Sequence, residues 1–468
     1  MEFSMNKLAL SAVAIVVSTL AVSPKITSNY IEQNTLDIVS SIDALPLYQA
    51  EVITSDFGWF KSSAKVKVKA DMAQLVSGTS SDEVYAMDLV LNFNHGLLTT
   101  SGANLSDFAI IVENLPGVEG LSWDKSLPLY QVNGQVSLIG NLSYDDELPQ
   151  ISYTSEGGIE VNVSSYRGHA ETVNGILKHT GLLPNLVLNF PQLTMQVKDI
   201  NINTLMSESI TSYFDDNTVP VYDSSLEVTK WTVNSPDTFD ATMDNLSMSV
   251  SSSVDEEKHL VFAKLAYGLE QVKVNDYVGS DFELVFETNN LDENTYIKFN
   301  KLLAAQSGPQ QPTEQLETMA SFLRDNLLDI LSPAPEMNIT SFKGKLPQGN
   351  FDANLHAKIE NVKEAPSELM APPFWLSHLN ASSDVKVAKP LAHFVATQIV
   401  RNQLVANPNF VDTPIEEVEK LAAQQAPLMI SMFEAQGLIV PDENSYTLNF
   451  ELANNVAKLN GNEVPLPQ

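Results

Sequence analysis

Strict alternation of apolar and polar residues is the sequence feature that most restricts how this chain can fold. Residues 64–69, AKVKVK, place three lysines on one side of an extended segment and three apolar side chains on the other. The same two-residue period recurs in segments centred on Leu89, Val161, Met248, Leu284 and Leu355. Strands with one apolar face are typical of antiparallel sheets with one wet face. The pattern therefore predicts extended, largely antiparallel, amphipathic β-sheets.

Helical periodicity enters in the C-terminal half. Apolar residues spaced by three and four predict one pair of helices over 292–306 and 313–331, and a second pair over 390–404 and 413–437. The last of these begins with a capping box from Thr413 to Glu416 and ends at a C-capping Gly437. Pro427 is expected to kink or split it.

Strand, two helices and strand thus occur twice, around 281–346 and around 383–453, although the two copies share little sequence. The whole pattern predicts an α+β fold in which two helix pairs are inserted into the sheet system. We divide the chain into a signal anchor or signal peptide, a juxtamembrane helix, a β-rich region and an α+β region, over residues 1–23, 24–45, 46–290 and 291–468.

An uncharged apolar run, Leu8 to Val22, follows Lys7 near the N-terminus. Its length suits the core of an export signal better than a full span, which needs about 20 residues. The best cleavage site, residues 21–23, is followed by Pro24, which should hinder a peptidase. We expect a retained anchor in the cell inner membrane with the chain on the periplasmic side. A cleaved signal peptide and a buried core helix are the alternatives.

The charge balance restricts the partners. Lys and Arg number 26 and Asp and Glu number 58, which gives a formal net charge of −32. This excess disfavours nucleic acids and anionic lipid headgroups as direct partners, and its simplest role is solubility. The chain has no cysteine, so disulfides, thiol catalysis and thiolate metal sites are excluded.

The sequence contains no strong catalytic motif: it has no G-x-S-x-G, H-E-x-x-H, P-loop or G-x-G-x-x-G pattern. No histidine is paired with another at helical spacing; the seven are His95, His169, His179, His259, His356, His378 and His393. His169 and His179 flank residues 173–177, which we predict to be helical, and they are weak metal candidates. We expect no catalytic residue, no cofactor and no metal; a hydrolase with a dispersed site would need His95 or His169 beside carboxylates.

Three acidic clusters raise the question of calcium, at residues 145–147, 215–217 and 442–444. None follows the spacing of an EF-hand loop. The third has Thr447 where the central glycine should stand and Ala453 where the bidentate glutamate should stand. We therefore expect ordinary polar loops at all three.

The aromatic group Phe57, Trp59 and Phe60, interrupted by Gly58, precedes the lysine-rich strand. These side chains could belong to the core at a bend, where Gly58 would permit a bulge. They could instead line an apolar groove or lie close to a membrane. The core interpretation is favoured, and the three aromatics are the only candidate ligand-groove or membrane-proximal residues.

Several short motifs occur in a fixed order along the chain: residues 57–62 (FGWFKS), 95–96 (HG), 274–275 (VN), 279–280 (GS), 290–292 (NLD), 420–422 (KLA) and 459–461 (LNG). With the N-terminal run, they resemble the YdgA-like family of bacterial envelope proteins, domain-of-unknown-function family 945. Leu97 departs from that pattern, where similar proteins often have proline. The resemblance implies an inner-membrane protein that faces the periplasm. It implies no assigned reaction and no catalytic residues.

The first functional hypothesis is a non-enzymatic envelope protein that binds an apolar ligand or lipid on a curved amphipathic sheet. The alternative is a structural or assembly factor with an envelope protein partner. A hydrolase with a dispersed site is the third hypothesis.

Overall fold

The computed structural model describes residues 24–43, 48–71, 84–96, 99–115, 118–206, 218–235, 239–305, 312–366, 372–410 and 413–465. These ranges contain six α-helices and 23 strands, and the strands form one large antiparallel sheet. The chain divides into two compact units. Unit 1 comprises residues 1–240, 249–261 and 293–325, and unit 2 comprises residues 241–248, 262–292 and 326–468. The β-rich, antiparallel character that the alternation predicted is confirmed.

The first element that the structure describes in unit 1 is a helix, α1 (Pro24–Asp43), and strands follow it in the chain. Its strands are β1 (Tyr48–Phe57), β2 (Lys61–Asp71), β3 (Val84–His95), β4 (Asn104–Asn114), β5 (Leu121–Trp123), β6 (Tyr130–Ser137), β7 (Leu142–Leu148), β8 (Ile151–Thr154), β9 (Glu160–Val163), β10 (Tyr166–Val173), β11 (Ile176–Phe190), β12 (Leu193–Met206) and β13 (Tyr222–Ser235).

The strands of unit 1 pair in the order β1-β2-β3-β4-β6-β7-β10-β11-β12-β13. β11 is 15 residues long and has two neighbours on one side. Residues 176–182 pair with β10, and residues 186–189 pair with β9. β9 continues the sheet into β8 and β5.

Helix α1 belongs to the core of unit 1. Ile31, Ile38, Val39 and Ile42 lie on one side of it and are buried in the same cluster as the apolar side chains of β2, β3 and β4. The Asp43 carboxylate accepts a hydrogen bond from the backbone N–H of Ala50 at 3.0 Å, which ties the helix end to β1. The predicted helix is present, and it is packed on the sheet rather than held apart from the globular body.

The lysine-rich strand β2 has the two faces that its sequence predicts. Ala64, Val66 and Val68 are buried in the core of unit 1, whereas the lysines between them are half-buried on the other face. Lys65 forms an ion pair with Asp88 on β3 at 3.1 Å.

Three long strands follow, namely β14 (Phe239–Asp255), β15 (Leu260–Val274) and β16 (Tyr277–Asp292); β14 and β15 contribute residues to both units, and β16 belongs to unit 2. The helices that follow them are α2 (Glu293–Ala305), α3 (Pro312–Leu331), α4 (Pro372–His378), α5 (Lys389–Ala406) and α6 (Ile415–Ala435), with a short 3₁₀ turn at Pro408–Phe410. The remaining strands are β17 (Glu336–Leu346), β18 (Gly349–Ile359), β19 (Leu379–Ala388), β20 (Val440–Pro441), β21 (Ser445–Ala453), β22 (Val456–Leu459) and β23 (Asn462–Val464).

Within unit 2 the strands pair in the order β16-β17-β18-β19-β21-β22-β23, and β20 pairs with the start of β21. One side of this sheet carries charges that face each other across strands, as in the Glu283–Lys343 ion pair at 3.1 Å. Helices α5 and α6 pack together near Tyr446 on the other side. The unit is thus amphipathic, with one wet face.

The two predicted strand–helix–helix–strand segments are both present. In each, the outer strands are antiparallel neighbours, because β16 pairs with β17 and β19 pairs with β21. Gly437 follows the end of α6 with φ 68° as predicted. Two details differ from the prediction. Pro427 lies inside an uninterrupted α6 and does not split it, and the N-cap of α6 is Pro414 without a side-chain hydrogen bond, so the capping box does not form.

The segment between His169 and His179 is a β-hairpin, and the prediction of a helix there was wrong. Asn174 and Gly175 have φ values of 54° and 82°, and they form the two-residue turn between β10 and β11. An Asn-Gly pair favours this turn because both positions require positive φ. The apolar residues on either side therefore belong to strands.

Leu8 to Val22 lies outside the described residues, as does the anchor helix predicted there. Among the helices that the structure describes, none is both long enough and apolar enough to cross a lipid bilayer.

Candidate functional site

A continuous apolar surface crosses six strands of unit 1, and we call it the apolar face. It consists of two cross-strand rows whose members are paired in register. The first row is Leu121, Tyr153, Val161, Leu188, Met195 and Val233, and the second is Trp123, Ile151, Val163, Leu186, Val197 and Trp231. Within every strand the two members are two residues apart, so all twelve side chains lie on one side of the sheet.

The row of residues between these two is mostly polar. It is Ser122, Ser152, Asn162, Val187, Gln196 and Thr232, and it lies on the other side of the same strands. Five of its six members are polar, so this part of the sheet has one wet side and one apolar side. The alternation on β9 was noted from the sequence, but the partners of β9 were not.

The apolar face is wide enough for an extended hydrocarbon chain. Six strands at about 4.8 Å spacing span about 24 Å, and each row is unbroken over that width. All twelve side chains are half-buried, and Trp123 and Ile151 pack against the main core of unit 1 at one margin. The face offers dispersion contacts and the exclusion of water rather than a reactive group.

The aromatic group of the sequence lies at the turn between β1 and β2. Phe57 is half-buried against the core, whereas Trp59 and Phe60 are 63% and 65% exposed. The backbone N–H of Gly58 donates to the carbonyl of Lys61 at 2.9 Å, which closes the turn. The core interpretation is correct for Phe57 and wrong for Trp59 and Phe60. Gly58 serves the turn and not a bulge; the register of β1 shifts instead between Val52 and Thr54.

Beneath this turn, Ser62 and His95 form a buried pair. The Ser62 hydroxyl and the His95 Nε2 are 2.9 Å apart, and the two residues are 3% and 2% exposed. The backbone N–H of His95 also donates to the carbonyl of Phe60 at 3.0 Å. The pair joins the end of β3 to the β1–β2 turn, and its burial fits a structural role.

A second anchored turn follows His95. The Asp107 carboxylate accepts hydrogen bonds from the hydroxyls of Thr99 and Thr100, both at 2.8 Å, and from the backbone N–H of Ser101 at 2.9 Å. Burial alone would raise the pKa of this carboxyl, but the hydrogen bonds outweigh it, and the pKa lies below its usual value. The carboxylate therefore holds the loop between β3 and β4.

A buried polar group of unit 1 centres on Asp146 of β7. Its carboxylate lies 3.1 Å from His179 Nε2 on β11 and accepts a hydrogen bond from the Tyr130 hydroxyl at 3.1 Å. The Tyr166 hydroxyl also hydrogen-bonds to Asp146, and the ring of Tyr144 stacks on His179 with centroids 5.9 Å apart. Burial, followed by the negative charge of Asp146, raises the pKa of all three tyrosines, so their hydroxyls stay protonated.

Two glycines make room for this cluster. A Cβ atom on Gly168 would overlap Asp146 Oδ1 and lie 2.6 Å from the Tyr166 hydroxyl, and one on Gly181 would lie 2.5 Å from that hydroxyl. The polar groups therefore fill the space against the backbone. The cluster was not predicted from the sequence, because residues 173–177, just before His179, were predicted to be a helix and not part of a β-hairpin. The available signals were the Asn-Gly turn and the alternation of Tyr144 and Asp146.

The other histidines and acidic clusters are dispersed. His169 pairs with Asp145 at 2.8 Å on the exposed side of β10, and His259 pairs with Glu293 at 2.8 Å. His378 contacts the Glu360 carbonyl at 2.8 Å, His356 contacts the side chain of Asn338, and the ring of His393 lies beside Tyr446.

The three acidic clusters were expected to be ordinary polar loops, and one of them differs from that expectation. Residues 145–147 lie on strand β7, where Asp146 is buried and its two acidic neighbours are exposed on the other side. Residues 442–444 form a polar turn closed by Asp442 and Ser445, and residues 215–217 lie outside the described residues. Over the ranges described, no three His, Asp or Glu residues lie close enough to hold a metal ion.

Fold and sites together define a class: a β-rich antiparallel protein with amphipathic sheets and small structural polar clusters. A family model described as "Bacterial protein of unknown function (DUF945)" matches residues 5–467, and the chain belongs to this family. The resemblance to the YdgA-like family is thereby confirmed. No curated protein and no solved structure matches the chain.

Several positions within the motifs that carried the resemblance have positive φ. Asn275, Asn290 and Asn460 have φ values of 52°, 58° and 51°, and Gly461 has φ 82°. Asparagine and glycine tolerate this conformation better than other residues. These motif positions therefore act as determinants of the fold.

Proposed function

We propose that this protein is a non-enzymatic component of the bacterial envelope that binds the acyl chain of a lipid on its apolar face. In this proposal Leu8 to Val22 holds the protein at the inner membrane, and the globular part faces the periplasm. The observation that carries the ligand proposal is the pair of unbroken apolar rows across six strands.

The size and shape of the face favour a lipid chain. Its width of about 24 Å exceeds the roughly 15 Å depth of one leaflet of hydrocarbon, so a whole acyl chain could lie across it. Apolar contact stabilises such a complex by about 25 cal/mol for each Å² removed from water.

The charge of the chain favours one kind of headgroup. With a formal net charge of −32, the protein repels anionic headgroups, so a zwitterionic or uncharged lipid is the preferred ligand. No residue has a catalytic role in this proposal, because the buried pairs Ser62–His95 and Asp146–His179 are built into the sheet.

The experiment uses the full-length protein and phosphatidylethanolamine that carries a photoactivatable group on its acyl chain. Leu188→Asn places an amide on the apolar face, whereas Val187→Asn places the same amide on the wet side of the same strand. We expect Leu188→Asn to weaken binding about tenfold, since one leucine contributes about 1.5 kcal/mol of apolar contact. Val187→Asn should leave labelling close to that of the unmodified protein.

Circular dichroism of both variants checks that each is folded. Equal labelling of the two variants, or labelled peptides that map away from β5, β8, β9, β11, β12 and β13, would overturn the ligand proposal. Crosslinking from the same face to a stoichiometric protein, with no lipid captured, would favour the alternative of an assembly factor.

A further inference from the structure

The turns at one end of the unit 1 sheet carry a second apolar surface. Neighbouring strands in the order β1-β2-β3-β4-β6-β7-β10-β11 are antiparallel. Every second strand therefore finishes at the same end of the sheet. The β1–β2, β3–β4, β6–β7 and β10–β11 turns therefore lie at one end of the sheet. The β3–β4 turn is polar, since Thr99 and Ser101 hydrogen-bond to Asp107 there, and the other three turns carry exposed apolar side chains. We call their exposed apolar side chains the apolar tip: Trp59, Phe60, Leu138, Ile139, Val173 and Ile176.

These residues are unusual for the tips of hairpins. Ile139 is 83% exposed, and Trp59 and Phe60 are 63% and 65% exposed. Turns normally carry glycine, proline and small polar residues, which solvate well. Apolar side chains gathered at one edge mark a contact surface more often than isolated exposed ones do.

The turns hold these side chains in place. The Ser62–His95 pair supports the β1–β2 turn from beneath, and Gly175 with φ 82° closes the β10–β11 turn. In the β6–β7 turn the backbone N–H of Gly140 donates to the carbonyl of Ser137 at 2.9 Å. A preorganised apolar surface binds with little loss of conformational entropy.

The start of α1 lies toward the same edge. Residues 44–47 alone separate α1 from β1, and the helix packs mainly against β1, so the two run in opposite directions. The helix is about 30 Å long and the strand about 33 Å. Pro24 is therefore near the end of the sheet where β1 finishes, and the apolar segment Leu8 to Val22 joins the chain there.

We propose that the apolar tip is the surface through which unit 1 rests on the interface of a lipid bilayer. Tryptophan and phenylalanine suit this zone, and insertion of apolar side chains needs no positive charge on the protein. This inference rests on the membrane location in the proposed function. It adds an orientation, in which the strands of unit 1 run perpendicular to the membrane plane. Leu186, in the second row of the apolar face, then lies about 33 Å along β11 from Ile176.

The absence of cysteine from the sequence allows a direct test with single labels in the full chain. Ile139→Cys reports on the apolar tip, and Leu127→Cys is the matched control. Leu127 is also apolar, is 49% exposed and precedes β6 at the opposite edge. Each variant carries an environment-sensitive fluorophore and is reconstituted into phosphatidylcholine vesicles with or without a nitroxide quencher on the acyl chain.

We expect the Ile139→Cys label to shift to the blue and to lose most of its emission to the lipid quencher, while the Leu127→Cys label keeps its emission. Replacement of Trp59 and Phe60 by serine should restore most of the emission of the Ile139→Cys label.

Equal quenching of the two labels, or no quenching at Ile139→Cys, in a protein that floats with the vesicles would overturn this inference alone. A protein that does not float with vesicles would overturn the membrane location and this inference with it.

Discussion

The place of α1 in the core can be tested by shortening one side chain. Ile31 is 0% exposed and lies in the core cluster of unit 1, so Ile31→Ala deletes three buried carbon atoms. At about 0.8 kcal/mol for each carbon, the lost burial amounts to about 2.4 kcal/mol, and the remaining cavity adds to it. We expect the free energy of unfolding of unit 1 to fall by about 3 kcal/mol.

The measurement is a urea titration of the full chain, followed by tryptophan fluorescence in a Trp375→Phe background. The remaining tryptophans, Trp59, Trp123 and Trp231, all belong to unit 1. With a slope of about 3 kcal/mol per molar urea, the midpoint should fall by about 1 M.

Leu36→Ala is the matched control on the same helix. Leu36 is 47% exposed, so its truncation should change the free energy of unfolding by no more than about 1 kcal/mol. Equal midpoints for the Ile31→Ala variant and the unmodified chain would refute the packing of α1 on the sheet, because a helix held apart from the body would lose no core contact.

Two further predictions concern the cluster around Asp146. Gly168→Ala should lower the unfolding temperature, because its Cβ would overlap the Asp146 carboxylate and overpacking typically costs about 1–3 kcal/mol. Gly157→Ala is the control and should be tolerated, because no atom lies nearer than 3.8 Å to its Cβ. Equal unfolding temperatures for the two variants would contradict this account. The raised pKa values of Tyr130, Tyr144 and Tyr166 mean that the fold holds phenolic protons that the unfolded chain releases above about pH 10, so stability is fully present below that pH and declines above it. Urea midpoints measured from pH 8 to 11 should show this decline, and Tyr166→Phe should make it shallower; an unchanged slope in the variant would count against the assignment.

Local patterns in the sequence were enough to predict most of the elements. The lysines of β2 alternate with Ala64, Val66 and Val68, and this period alone determines which face is buried. The helix pairs follow from three- and four-residue spacing, and Gly437 follows from the geometry of a C-cap. Pro427 does not split α6, because a helix can accommodate a proline when its packing is otherwise favourable. Here the neighbouring Ala426 and Ile430 are buried.

The apolar face could not be predicted from one sequence, because it is assembled from strands far apart in the chain. Leu121 and Val233 are the ends of one row, and only the pairing of four intermediate strands connects them. The Asp146–His179 pair could not be predicted for the same reason: its residues lie on β7 and β11, which come together only because both pair with β10. Trp59 and Phe60 were misjudged because apolar character predicts burial only on average.

The order of the strands has a consequence for how the protein is made. From β1 to β4, and again from β10 to β13, each strand pairs with the next one along the chain, so the first contacts to form are close in sequence. Chains with such local pairings can fold quickly and progressively. A protein delivered from its N-terminus could therefore close α1 onto β1, β2 and β3 while the later strands are still arriving, without a disulfide to correct a mistaken pairing.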